Sequence, residues 1–293
     1  MPKVTYETHN FQKQAKRLID IANVIIAEYQ EGGYVLTLRQ LYYQFVARGF
    51  IKNCKKQYDR LGKIISDARL AGDIDWAAIV DRGRSVNENN HFKNPSHILS
   101  TAARGYKLDT RATQENYLEV WVEKEALLGV IEPVCSGLDV IYLACKGYYS
   151  QSAMWEAAQR ILAAQESGKK AVVLHLGDHD PSGIDMTRDI LTRLTLFGSA
   201  VDVRRLALNI GQVKQYNPPP NFAKLTDTRA NEYIAEYGSE SWELDALNPK
   251  IIGELISYEV DRLTDQTKRQ QLIDLQESHK QSLAYLANHW EEI

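Results

Sequence analysis

Apolar residues recur with two different periods along this chain. In 11–30, 38–48 and 56–70 they recur every three to four positions, which predicts three amphipathic helices with short connections. Thr37 stands where an N-cap is expected for the second helix, and Gly49 follows its end. Residues 74–81 then predict a short extended segment.

The middle of the chain has the short β-branched and aromatic runs that are typical of buried strands. They span 117–122, 140–144, 172–176 and 201–208, and helical spacing such as that of 152–166 lies between them. Strands that alternate with helices predict a parallel sheet covered on both faces. The pattern is helical again from residue 249 onwards. We therefore expect an α/β fold with helical parts at both ends.

Acidic residues follow two of the predicted strands. Glu123 closes the first, with Glu125 as a second candidate, and Asp178 and Asp180 follow the third. The carboxyl ends of parallel strands meet at one edge, where carboxylates repel one another unless a cation lies between them. Hard oxygen ligands suit Mg²⁺. Strand alternation turns His179 away from the two aspartates. The alternative is that the aspartates only cap the following helix.

This arrangement resembles a Toprim domain, the metal-binding module of topoisomerases, primases and several nucleases. Segments 122–125 and 178–183 are similar in particular to type IIB topoisomerase A subunits and the related meiotic double-strand-break proteins. The glycine-aromatic segment 147–150 is similar to theirs as well. The resemblance implies a Mg²⁺ or Mn²⁺ site formed by Glu123, Asp178 and Asp180.

The N-terminal pattern of three helices and an extended wing is that of a winged helix-turn-helix. Its third helix would enter the major groove of duplex DNA, with Arg60, Lys63 and Arg69 towards the nucleic acid. A basic helix is often only a solvated face. However, residues 1–110 hold 17 Lys and Arg against 11 Asp and Glu, whereas the remainder holds 18 against 27. This asymmetry suits a DNA-binding module joined to a metal-carboxylate module.

The second helix contains Arg39, Tyr42 and Tyr43 in the spacing Arg-x-x-Tyr-Tyr, which is similar to the DNA-cleavage motif of the same family. The resemblance implies that Tyr43 is the nucleophile and forms a 5′-phosphotyrosyl bond, while Arg39 favours the phenolate. Tyr42 falls on the core-facing stripe and Tyr43 about 100° further round. We therefore expect Tyr42 to be buried and Tyr43 to be exposed. The alternative is that both tyrosines belong to the core.

The resemblance also implies partners. In the family, the tyrosine of one protomer meets the metal of the other, so a homodimer acting on duplex DNA is expected. The family's topoisomerases use a separate ATPase subunit. No G-x-x-x-x-G-K-[ST] motif occurs, so we expect no ATP site in this chain.

The predicted activity is Mg²⁺-dependent DNA cleavage by tyrosine transesterification. A first alternative is a Toprim nuclease that hydrolyses DNA, as in anti-phage and plasmid-defence proteins, with Tyr43 in a structural role. A second alternative is a DNA-binding regulator whose acidic site is vestigial.

The composition restricts the class of protein. Of 293 residues, 44% are hydrophobic and 25% charged, as in soluble globular proteins. No apolar run reaches the roughly 18 residues of a membrane span. The three scattered cysteines predict neither a zinc site nor a disulfide framework. We expect a cytoplasmic protein. The predicted parts are a winged-helix domain (1–84), a linker (85–115), a Toprim domain (116–248) and C-terminal helices (249–293).

Overall fold

The N-terminal part is built from three helices. The computed structural model of the protein describes residues 3–80, 91–222 and 229–290. Helices α1 (Lys13–Glu31), α2 (Leu38–Ala47) and α3 (Lys55–Leu70) match the predicted ones, and their apolar faces form one core. Ala246, from far along the chain, is buried in the same core.

The prediction of an extended wing at 74–81 is wrong for the central part of this segment. Trp76–Ala78 forms a 3₁₀ turn. The reason is local, because the Asp75 side chain accepts a hydrogen bond from the Ala77 N–H at 2.8 Å and caps this turn. Ile79 then makes a single parallel bridge to Leu36. The end of the predicted wing, Asp81, lies outside the described residues.

Thr37 caps α2 as predicted, in a reciprocal capping box with Gln40. The Gln40 N–H donates to the Thr37 hydroxyl at 3.3 Å, and the Thr37 N–H donates to Gln40 Oε1 at 2.8 Å. Thr37→Ala is expected to lower the free energy of unfolding by about 1 kcal/mol, measured by urea denaturation. Thr37→Ser keeps the acceptor oxygen and should remain close to the wild type. Equal stability of the two variants would contradict a stabilising cap.

A four-stranded parallel sheet follows, as the alternation of strands and helices predicted. Its strands are β1 (Asn116–Val122), β2 (Ile141–Ala144), β3 (Lys170–Leu176) and β4 (Val201–Ala207), in the order β2-β1-β3-β4. The carboxyl ends of β1 and β3 meet, because Val122 pairs with Leu176. Both faces of the sheet are covered by buried apolar clusters.

The helices predicted at 152–166 and from residue 249 onwards are present, together with others that were not predicted. The remaining helices are α4 (Pro95–Gly105), α5 (Leu128–Leu138), α6 (Gln151–Glu166), α7 (Pro181–Leu196), α8 (Ile210–Tyr216), α9 (Ala230–Tyr237), α10 (Pro249–Arg262) and α11 (Gln266–Asn288). Two short strands, β5 (Asn221–Phe222) and β6 (Glu240–Ser241), pair antiparallel. Short 3₁₀ turns lie at Glu125–Leu127 and Leu244–Ala246. Within the part that the structure describes, no helix has the length and apolar character of a membrane span.

The segment 85–115, predicted as a linker, contains helix α4. This helix packs against α11, and the Ser96 hydroxyl donates to the Ala287 carbonyl at 2.7 Å. Next to it, the Tyr106 hydroxyl and the His279 ring are 2.8 Å apart. The described part of this segment is therefore a folded element that joins the C-terminal helix, while its start at 85–90 lies outside the described residues.

Candidate functional site

Two of the three predicted acids meet at the carboxyl ends of β1 and β3. The Glu123 N–H donates to the Leu176 carbonyl at 2.9 Å, which extends the strand pairing by one residue. The Asp178 N–H donates to Glu123 Oε2 at 2.9 Å. Glu125 is exposed, and its carboxylate pairs with Lys146 at 2.8 Å. The structure therefore places Glu123, rather than Glu125, beside Asp178.

The Asp178 carboxylate is buried and both of its oxygens have partners. Oδ1 accepts a hydrogen bond from the Leu244 N–H at 2.8 Å, and Oδ2 lies 2.7 Å from the Lys124 ammonium. Burial raises the pKa of Asp178 to about 7, against the opposing effect of Lys124 and with a further contribution from the charge of Glu123. A carboxyl group with this pKa changes its protonation near neutral pH.

Asp180 is the N-cap of α7. Its Oδ1 accepts a hydrogen bond from the Gly183 N–H at 2.6 Å, so the helix-capping alternative is met at this residue. The turn is tight, because a Cβ at Gly183 would lie 2.2 Å from the Asp178 carbonyl oxygen. Arg205 reinforces it by donating to the carbonyls of Gly177 and Asp178. His179 contacts another part of the chain, with its Nδ1 2.7 Å from the Tyr233 hydroxyl.

The structure adds two acids that the sequence analysis missed, Glu243 and Asp245. The Lys124 ammonium lies 3.0 Å from Glu243 and 3.2 Å from Asp245. Arg39 also pairs with both, and its Nε lies 2.9 Å from Asp245. The available signal in the sequence was the alternation of polar and apolar residues in 242–245. Nothing local indicated that this segment would lie beside Asp178.

These acids and bases form one network with an excess of negative charge. Five carboxylates face three cations, which leaves two negative charges when all groups are ionised. The carboxylates are Glu123, Asp178, Asp180, Glu243 and Asp245, and the cations are Arg39, Lys124 and Arg205. Although burial opposes it, the charges of Lys124 and Arg39 lower the pKa of Glu243 to about 2. Burial raises the pKa of Glu123 and of Asp245.

The predicted ligands fit a divalent cation in charge and donor chemistry. In the described ranges, no three His, Cys, Asp or Glu side chains are already arranged as a metal-binding cluster. The contacts give the reason, because the Lys124 ammonium pairs with Asp178 Oδ2 and the Gly183 N–H donates to Asp180 Oδ1. The carboxylates of Glu123 and Asp178 nevertheless offer hard oxygen donors at the same edge of the sheet.

The prediction that Tyr43 is exposed is wrong. Both tyrosines are buried, each with 4% of its surface exposed. Tyr42 was expected to be buried, and its hydroxyl accepts a hydrogen bond from the Cys54 N–H at 2.8 Å. Tyr43 is covered because the turn Leu244–Ala246 packs against α2. The two tyrosines point in different directions around α2, as their helical spacing predicted, but a segment distant in sequence covers Tyr43.

The environment of Tyr43 does not favour its phenolate. Burial, followed by the negative charges of Asp245 and Glu243, raises the pKa of Tyr43 well above its usual value. Arg39 lowers it only weakly, although its guanidinium lies 5.8 Å from the ring centre. Arg39 is already paired with the two carboxylates.

Tyr43 and the acidic residues lie together within a single chain. Glu243 connects them, because it interacts with Tyr43 and also pairs with Lys124, which contacts Asp178. A cleft of about 370 Å³ opens beside this group, and its lining includes Tyr42, Tyr43, Tyr58 and Glu243. The resemblance implies that the tyrosine faces the metal of a partner protomer, and this arrangement stays a prediction.

The basic residues predicted to face DNA have different surroundings. Arg60 and Lys63 are exposed on α3, and Arg60 donates to Gln14 at 2.7 Å. Arg69 donates to the carbonyls of Trp76 and Ile79, and its guanidinium lies 4.5 Å from the Trp76 ring centre. Arg69 therefore stabilises the turn after α3, which leaves Arg60 and Lys63 as the exposed cations of the predicted set.

Comparison with protein-family models found no match, and neither did comparison with curated proteins or with solved structures.

Proposed function

We propose that the protein is a divalent-cation-dependent DNA nuclease that hydrolyses phosphodiester bonds. In this proposal a three-helix N-terminal part that binds DNA precedes a domain of the Toprim type. The observation that carries it is the hydrogen bond from the Asp178 N–H to the Glu123 carboxylate at the ends of adjacent parallel strands, inside a network of five carboxylates and three cations. This is a charge environment in which a divalent cation is stabilised.

Hydrolysis is favoured over tyrosine transesterification by the state of Tyr43. A nucleophilic phenol must approach the scissile phosphate and lose its proton. Tyr43 is covered by the turn Leu244–Ala246, and its pKa is raised by burial and by Asp245 and Glu243. We therefore assign Tyr43 a structural role beside the acidic residues.

The remaining residues have separate roles in the proposed reaction. Glu123 and Asp178 would hold Mg²⁺ or Mn²⁺, with Asp180 maintaining the turn that carries Asp178. The bound cation would polarise the phosphate and lower the pKa of a water molecule. Lys124 balances the charge of Asp178 in the protein alone.

The substrate and assembly follow from the same geometry. The exposed cations Arg60 and Lys63 on α3 would contact the phosphate backbone of duplex DNA. Because the proposed hydrolysis uses no tyrosine nucleophile from a partner, it requires neither a second protomer nor a separate ATPase subunit.

Cleavage of end-labelled duplex DNA tests the assignment of Tyr43. With Mg²⁺ or Mn²⁺ we expect free cleaved ends from the wild type and no cleavage with EDTA. Tyr43→Phe should cleave within about threefold of the wild-type rate, since a structural phenol hydroxyl contributes little to the chemical step. Tyr58→Phe, in the same cleft, is the matched control. Each reaction is stopped with denaturant and analysed with and without protease.

The products distinguish the alternatives. Protein-linked 5′ ends that disappear in Tyr43→Phe would show that the mechanism is transesterification and not hydrolysis. DNA binding that is indifferent to Mg²⁺, without cleavage by the wild type, would instead favour a DNA-binding regulator.

A further inference from the structure

A second cavity, of about 480 Å³, lies at the end of the sheet opposite to the acidic residues. Its lining includes 116–118 at the start of β1 and 140–142 at the start of β2. From Asn116 to Val122 the strand rises by about 20 Å, so the cavity is well separated from Glu123. Its volume is that of a small-molecule site.

Arg111, which lines this cavity, has an unused hydrogen-bonding edge. Its residue surface is 7% exposed, and its Nη1 donates to the Thr264 hydroxyl at 3.1 Å. Nε and Nη2 are buried and have no hydrogen-bond partner among the described residues. These two nitrogens form the edge with which a guanidinium binds an oxyanion in bidentate fashion.

Other positively charged side chains lie near Arg111 and add to its charge. Lys107 and Lys169 line the same cavity, and the Lys169 ammonium donates to the Arg111 carbonyl at 2.9 Å. Arg269 approaches from α11, donates to the Gly137 carbonyl at 2.6 Å and leaves its buried Nε without a partner in the described ranges. Burial and then the charge of Arg269 lower the pKa of Arg111. The place is therefore electrostatically suited to an anion.

The nearby acids compensate this charge only in part. Asp139 Oδ2 accepts hydrogen bonds from the Thr110 N–H at 2.7 Å and from its hydroxyl at 2.8 Å. Asp109 Oδ1 accepts from the Arg111 N–H at 2.8 Å. Both acids thus shape the backbone around Arg111, and neither satisfies the free edge of its guanidinium.

We propose that this cavity binds a small phosphate-bearing molecule, with the phosphate on Arg111. The apolar part of the lining, which includes Val140, Ile141 and Tyr142, would contact an organic group carried by the phosphate. The site shares no residue with the proposed nuclease centre and does not depend on it.

Calorimetric titration of the full chain with adenosine monophosphate and with inorganic phosphate tests this site. We expect saturable binding of the nucleotide, and weaker binding of phosphate because it lacks the organic group. Equal binding of both would assign the site to free phosphate. Arg111→Lys keeps the charge but removes the bidentate edge, and should weaken binding by about tenfold or more.

Matched variants keep the test decisive. Arg60→Lys, an exposed arginine on α3, and Asp178→Asn, at the other end of the sheet, should both bind as the wild type does. Lys107 is exposed, so Lys107→Gln should fold even if Arg111→Lys does not. We expect this variant to bind the nucleotide about threefold more weakly than the wild type. The proposal is overturned if neither probe binds the wild type at millimolar concentration, or if folded variants at Arg111 and Lys107 bind undiminished.

Discussion

Asp178→Asn is expected to reduce DNA cleavage by about 100-fold or more and, at pH 8, to raise the free energy of unfolding by roughly 1–3 kcal/mol. The loss of cleavage follows because the amide removes the negative charge that the cation requires. The gain in stability follows because a buried carboxylate, which repels Glu123, is replaced by a neutral group of the same shape. Opposite changes of activity and stability identify a site retained for function.

The pH dependence provides a second measurement on the same variant. Burial raises the pKa of Asp178 from 3.8 to about 7, so its protonated form is favoured in the folded protein. The contribution of Asp178 to the stability of the wild type therefore decreases as the pH rises from about 4 to about 7, and the variant lacks this decrease. Urea denaturation at several pH values, without metal, should show the stability difference opening across this interval. Asp59→Asn, on the exposed side of α3, is the control. A difference that does not change with pH would contradict the explanation.

Lys124→Met is expected to lower the free energy of unfolding by about 3 kcal/mol at pH 8. Methionine keeps most of the side-chain length but leaves Asp178, Glu243 and Asp245 with less positive charge. The Asp245 side chain is only 1% exposed, whereas that of Lys124 is 22% exposed, so we expect the lower end of the range for buried ion pairs. The loss should diminish as the pH falls, because the carboxyl groups then take up protons.

Magnesium should partly restore the stability of Lys124→Met. The variant has three excess negative charges in place of two, and its Asp178 Oδ2 is no longer occupied by the ammonium. A given Mg²⁺ concentration should therefore stabilise the variant more than the wild type. Lys146→Met, which removes an exposed pair with Glu125, should cost less than about 1 kcal/mol. Equal stability of the two variants, or a smaller effect of Mg²⁺ on Lys124→Met, would contradict the proposed role of Lys124.

Local sequence was sufficient for the elements of this fold and for part of its site. The strands β1 and β3 follow from runs of β-branched and aromatic residues, and the start of α2 follows from Thr37, because these signals act between residues close in the chain. Glu123 and Asp178 could be paired from sequence since parallel strands present their carboxyl ends at one edge. Glu123, and not Glu125, lies beside Asp178 for the same reason.

Long-range packing decided the features that the sequence analysis missed. Helical periodicity gives the direction of Tyr43 but not what covers it, and the covering turn Leu244–Ala246 comes from some two hundred residues later in the chain. The same turn brings Glu243 and Asp245 to Lys124. Helix α4 was taken for a linker because its partner α11 is equally distant in sequence.

The division has a physical cause. Periodicity, capping and strand propensity are interactions between neighbours in the chain, so they placed the helices, the strands and the acids at the strand ends. The pKa of Asp178, the burial of Tyr43 and the unused edge of Arg111 depend on charges and surfaces that meet only after folding. Electrostatic interactions and burial act through space, and no pattern along the chain records which distant residues will share that space.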